Sequence, residues 1–100
     1  MFYIYILYSK KSDKYYVGYT DNVQRRLKEH NNPQKIKYTS KHLPWELISS
    51  FKVGNNKGIA MKIEKFIKKQ KSKKFIQIVV SSPYSIDKIA QLVRVPRTRD

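Results

Sequence analysis

Residues 15–30, Tyr-Tyr-Val-Gly-Tyr-Thr-Asp-Asn-Val-Gln-Arg-Arg-Leu-Lys-Glu-His, constrain the fold more than any other stretch of the chain. They open as a short aromatic strand, turn, and continue as a helix. Asp21 followed three residues later by Gln24 has the pattern of an N-cap with its capping-box partner, which starts the helix near Asn22. At about 100° per residue, Val23, Leu27 and His30 then share one stripe, Arg26 lies at its margin and Arg25 points toward solvent. The two adjacent arginines are therefore expected to do different work. A guanidinium turned toward an apolar stripe needs an anionic partner, either a carboxylate of the protein or a phosphate.

Upstream, Phe2-Tyr3-Ile4-Tyr5-Ile6-Leu7-Tyr8 is an uncharged run of β-branched and aromatic residues, bounded by a polar segment from Ser9 to Lys14. It reads as a strand paired antiparallel with a second strand over 15–19. Gly18 inside the second strand marks a bend or a close backbone approach. Pairing brings Tyr5 and Tyr16 to one sheet face, which aromatic cross-strand packing alone would also explain.

Residues 31–44 are polar, basic and bounded by prolines, and are expected to form a long surface loop of the kind that carries binding residues. A third strand is expected over 45–53, ended by Gly54-Asn55-Asn56, and a helix over about 57–70. Ile59, Ile63, Phe66 and Ile67 form the apolar stripe of that helix, with Ala60 at one border and Glu64 just beyond it. Glu64 is the only acid among Lys62, Lys65, Lys68 and Lys69, and an intrahelical pair with Lys68 accounts for it as simply as a functional role. Residues 75–80 fit a strand or a short helix, and continuity with the preceding element favours helix.

A hundred residues suffice for one small core, so the expected organisation is a domain over 1–82 and a basic, flexible tail over 83–100, in which Ile86 to Val95 have the makings of a short amphipathic turn. Within that tail, residues 89–97 look like a translated transfer RNA D-arm, as if the reading frame had run into a neighbouring gene. The fold class is α+β, a small three-stranded antiparallel sheet flanked by helices.

Charge narrows the partners. Twenty-two basic against seven acidic residues give a net charge of +15, which favours nucleic acid, with an acidic membrane surface as the rival. No apolar run is long enough to span a membrane, and the first residues lack a basic leader region, so a cytoplasmic protein is expected. Without cysteine there is no disulfide, zinc-thiolate site or thiol nucleophile. The seven carboxylates are too scattered for a two-metal cluster, and His30 and His42 are too few for a histidine site.

Tyr3-Ile4-Tyr5, Tyr16-Val17-Gly18 eleven residues on from Tyr5, Arg26 ten beyond Tyr16, His30 four further and Glu64 on a later helix together resemble the GIY-YIG nuclease superfamily. The match is closest to its small stand-alone bacterial members and covers about residues 1–80. Tyr3 departs from the usual glycine of the first motif. The resemblance implies an endonuclease hydrolysing DNA phosphodiester bonds, weakly specific or structure-selective, in repair or recombination. It implies a single divalent ion, Mg2+ or Mn2+, on Glu64, and no small-molecule cofactor. Tyr16 would take a proton from the attacking water, although a phenol of ordinary pKa, about 10, needs nearby cations to do so at neutral pH. Arg26 would hold the phosphate and stabilise the charge of the transition state. Tyr5 and His30 would complete the pocket, with His30 an alternative base. Lys35, Lys37, Tyr38, Thr39 and Lys41 of the loop, with Lys68, are the expected nucleic-acid contacts. The competing reading is a nucleic-acid-binding module, for DNA or RNA, with negligible catalysis on the same fold.

Overall fold

Strand β1 (Phe2–Ser9) runs through the middle of a three-stranded antiparallel sheet, flanked by β2 (Lys14–Thr20) on one side and β3 (Glu46–Gly54) on the other. The computed structural model describes residues 1–82 and 85–94, without the side chains of Lys37, Tyr38, Ser85 and Arg94. Five helices complete the described chain: α1 (Val23–His30), α2 (Lys37–Ser40), α3 (Lys57–Lys69), α4 (Lys73–Ser81) and α5 (Ser85–Arg94). The architecture is the expected α+β class.

β1 is apolar on both sides because both sides are covered. Ile4 and Ile6 face Ile63 and Ile67 of α3, Val79 of α4, and Ile86 and Ile89 of α5. Tyr5 and Leu7 face the opposite way, into a smaller cluster with Trp45, Tyr16, and Val23 and Leu27 of α1. Strict alternation along an extended strand produces this division, and a slip of one residue would exchange the two sets. Each buried isoleucine contributes roughly 1.5–3 kcal/mol, so the Ile4 side is the main reservoir of stability.

The register pairs Tyr5 with Gly18 and Leu7 with Tyr16, which puts the Tyr5 and Tyr16 rings on the same face with centroids 6.3 Å apart. The close approach expected at Gly18 is made by the Tyr5 ring itself. Gly54, at φ 130°, ends β3 in a backbone conformation that side chains disfavour.

Three expectations need correction. The N-cap of α1 is Asn22, whose side chain accepts from the Arg25 N–H, while Asp21 reaches the Arg25 guanidinium at 2.9 Å. Both residues suit a cap, and the end of β2 at Thr20 puts Asn22 in the extended conformation that capping needs. The tail does not begin at 83, since α5 lays Ile86 and Ile89 into the main core; residues 95–100 lie outside the described residues. The loop over 31–44 contains the single turn α2, and its Thr39 is wholly buried. The expected helix over 75–80 is present as α4, capped by the Ser72 hydroxyl.

Candidate active site

The turn after β2 delivers α1 against the Tyr5 face of the sheet, and the 3.6-residue period then sorts its side chains. Val23 and Leu27 pack inward and His30 is fully buried. Arg25 stays out with 54% of its side chain exposed, while Arg26, at 34%, leans over the sheet. That is the division of labour expected of the two arginines.

Arg26 is held on two sides. Its Nε donates to the Tyr5 hydroxyl at 3.3 Å, and one terminal nitrogen donates to Glu29 Oε1 at 2.9 Å. Partial burial works against the guanidinium charge, but the bonds to Glu29 and Tyr5 outweigh it and its pKa is raised. The hydrogen bond from Arg26 in turn holds the Glu29 carboxyl below the usual range. Both partners open to an arginine facing an apolar stripe are therefore still in play: Glu29 takes one edge of the guanidinium, and the guanidinium also lines a cleft.

Behind Arg26 lies a buried polar chain. The Tyr5 hydroxyl and His30 Nε2 are 2.8 Å apart, His30 Nδ1 and Thr39 Oγ1 are 3.3 Å apart, and Trp45 Nε1 donates to the Thr39 carbonyl at 2.9 Å. Burial pushes the Tyr5 phenol up to about 12 and pulls His30 down to about 4, the latter aided by the Arg26 charge. Both groups are neutral at physiological pH. His30 is fully buried and does not line the cleft; its ring meets the Tyr5 hydroxyl and also lies against the Tyr16 ring, with centroids 4.5 Å apart.

From the far side of the sheet, α3 carries Glu64 and Lys68 to the edge formed by β2. The Lys68 ammonium sits over the Tyr16 ring, 5.2 Å from its centroid, and 3.7 Å from Glu64 Oε1. The ordinary intrahelical pair thus exists, and it is loose. Tyr5, Tyr16, Arg26 and Glu64 all line one cleft of about 440 Å³, together with Asp21, Glu29 and Lys57. Four residues separated by as many as fifty-nine positions in the chain therefore share one wall-to-wall space.

The Glu64 carboxylate fits one hard divalent ion. Glu64 is a mostly buried carboxylate at the cleft, and among the described residues its ion pair is the loose contact with Lys68. Among the described residues no group of three or more potential ligands gathers. A single carboxylate fits a cation that keeps its water and takes phosphate oxygens for the rest.

Of the expected nucleic-acid contacts, Lys35, Lys41 and Lys68 are exposed. Thr39 is not: it faces His30 and Ile36 inside the protein, so a backbone contact to nucleic acid is ruled out by burial. The side chains of Lys37 and Tyr38 lie outside the described residues. Sequence reasoning missed Glu29 as the partner of Arg26, although its place three residues on was the available signal. It also missed Lys57, which the first turn of α3 places at the cleft.

Tyr5, Tyr16, Arg26 and Glu64 thus line one cleft of a strongly basic α+β domain, with the carboxylates of Asp21 and Glu29 beside them. The chain belongs to the GIY-YIG family: the GIY-YIG catalytic domain matches residues 1–77. It is 37% identical over 81 residues to a UPF0213 protein of Clostridium perfringens, spanning 81% of this chain and 85% of that one. A UPF0213 protein of Syntrophus aciditrophicus is 36% identical over 83 residues, 81% of this chain and 92% of the relative. The solution NMR structure of a UPF0213 protein from Bacillus halodurans is 33% identical, covers 87% of this chain and 94% of its own, and gives a TM-score of 0.49. Nucleic acid is the partner class of this family. Among the described residues no helix is long and apolar enough to cross a membrane.

Proposed function

We propose that the protein is a metal-dependent endonuclease that hydrolyses DNA phosphodiester bonds with little sequence preference, serving repair or recombination in the cytoplasm. The observation that carries this reading is the convergence of Tyr5, Tyr16, Arg26 and Glu64 on one cleft. Glu64 would hold a single Mg2+ or Mn2+, which when bound supplies Lewis-acid stabilisation to the phosphate and leaving oxygens.

The chain's own residues do the rest. Arg26, fixed by Tyr5 on Nε and by Glu29 on one terminal nitrogen, turns its remaining N–H groups to the scissile phosphate. A guanidinium oriented before substrate arrives stabilises the extra negative charge of the pentacoordinate transition state without reorganising. Tyr16, acting as its phenolate, takes the proton of the attacking water and becomes the neutral phenol, with the Lys68 ammonium 5.2 Å from its ring centroid. Tyr5, kept protonated by burial, serves as a fixed hydrogen-bonding group. Lys35, Lys41 and Lys57 supply charge for the nucleic-acid backbone.

The test is a panel of flap, nicked, forked, four-way and single-stranded DNAs incubated with Mg2+ or Mn2+. Cleavage is expected with the wild type and a loss of about 10²–10³-fold with Arg26→Ala, with Glu64→Ala also inactive while both variants still bind DNA. Well-folded protein that binds with a steep salt dependence and cuts none of these structures would overturn the reading in favour of a binding module. Competition by structured RNA decides between the two nucleic acids.

A further inference from the structure

Thr39 has no access to solvent and belongs to none of the groups that line the cleft, yet it closes a hydrogen-bond chain that ends on Arg26. The donors along that chain determine its direction. The Thr39 hydroxyl has one hydrogen and two backbone carbonyls within reach, that of Ile36 at 3.3 Å and that of His30 at 3.5 Å, both of which can only accept. With the hydrogen on a carbonyl, the lone pairs of Thr39 Oγ1 face His30 Nδ1, and the bond between them forms when Nδ1 carries the proton. With Nδ1 protonated, Nε2 of the neutral ring is an acceptor, and the Tyr5 hydroxyl 2.8 Å away donates to it. The Tyr5 oxygen is thereby free to accept from Arg26 Nε. In the opposite tautomer, Nε2–H would compete with Arg26 for the Tyr5 oxygen and leave a buried phenol hydrogen to find an acceptor elsewhere. Leaving a buried donor unpaired costs about 1–3 kcal/mol.

We propose that Thr39 is a positioning residue of the cleft: it fixes His30 as the Nδ1–H tautomer, and through His30 and Tyr5 it sets the orientation of Arg26. The effect on cleavage rests on the proposed endonuclease reading. The tautomer does not. Trp45 anchors the carbonyl of the same threonine, so the loop over 31–44 is tied at this point to the arginine that faces the phosphate.

The experiment uses ¹⁵N-labelled full-length protein near pH 7, where imidazole nitrogen shifts distinguish the two tautomers. Wild type is expected to show His30 as Nδ1–H, Thr39→Val to lose that single state, and Thr39→Ser to restore it. In the cleavage assay, Thr39→Val is expected to lower kcat about 10–100-fold, with DNA affinity and its salt slope unchanged, and Thr39→Ser to recover the rate. A wild-type His30 carrying its proton on Nε2 overturns the proposal, even if Thr39→Val fails to fold. So does a Thr39→Val protein that keeps the single Nδ1–H state, or one whose loss is confined to DNA affinity. Wild type that cleaves no DNA sinks the endonuclease reading, while the nitrogen shifts still decide the role of Thr39.

Discussion

The Tyr5 ring lies on the backbone of Gly18 so closely that a β-carbon there would stand 2.4 Å from the phenol oxygen and 2.5 Å from the carbon that bears it. Tyr5 occupies the space of the missing side chain, and its hydroxyl thereby reaches both His30 and Arg26. The second tyrosine motif is thus a packing device as well as a source of Tyr16.

Gly18→Ala should therefore move Tyr5 and loosen Arg26. Overpacking of this kind costs about 1–3 kcal/mol, so urea denaturation should show that loss, with cleavage falling further than stability explains. A variant as stable and active as the wild type would show that Tyr5 can sit elsewhere.

His30 gives stability a pH dependence of definite sign. Its folded pKa, about 4, lies below the ordinary 6.5, so between these values the unfolded chain binds more protons than the folded one. The contribution is complete above about 6.5 and is lost as pH falls through this window toward 4. The whole effect is on the order of 3 kcal/mol. Urea melts from pH 7 to 4.5 should show it, and His30→Gln should flatten the slope over that range.

The buried isoleucines of α5 make a third case. Ile86 and Ile89 are each only 4% exposed and close the main core. Ile86→Ala and Ile89→Ala should each cost about 2–5 kcal/mol, measured by thermal or urea unfolding. A neutral result would mean that α5 does not dock in solution.

Arg26→Lys separates charge from geometry. A lysine ammonium cannot reproduce a planar fork that meets Tyr5 and Glu29 in fixed directions at the edge of the cleft. DNA binding should change little while cleavage falls at least about 10-fold, read from single-turnover rates and binding isotherms. Full activity in this variant would reduce the role of Arg26 to that of a point charge.

Periodic elements were the ones most legible in the sequence. Alternation and aromatic content gave the strands, and the stripe of Val23, Leu27 and His30 placed Arg26 and His30 relative to each other before any coordinates. The meeting of Tyr5, Tyr16, Arg26 and Glu64 came from the family resemblance, because no local rule connects a residue of β1 with one of α3. Thr39 was misread since a buried polar residue inside a polar run leaves no hydrophobic signature; its burial depends on partners supplied by α1 and Trp45. α5 was obscured for a related reason. Its Ile86 and Ile89 are spaced for a helix face, but they sit in a short segment beside a basic, proline-containing terminus whose composition resembles a tail. The choice of Asn22 over Asp21 as the cap turned on where β2 stops, which propensity could not fix to one residue.

The alternation along β1 has a practical corollary for engineering. Tyr5 and Leu7 face α1 and Trp45, and Ile4 and Ile6 face α3, α4 and α5. Repacking around Ile4 and Ile6 can leave the cleft untouched where it is confined to α4 and α5, because α3, which supplies Ile63 and Ile67, also carries Lys57 and Glu64 to the cleft. Substitutions sought for stability then belong to the two C-terminal helices, and those that reshape the cleft to α1 and the exposed face of α3.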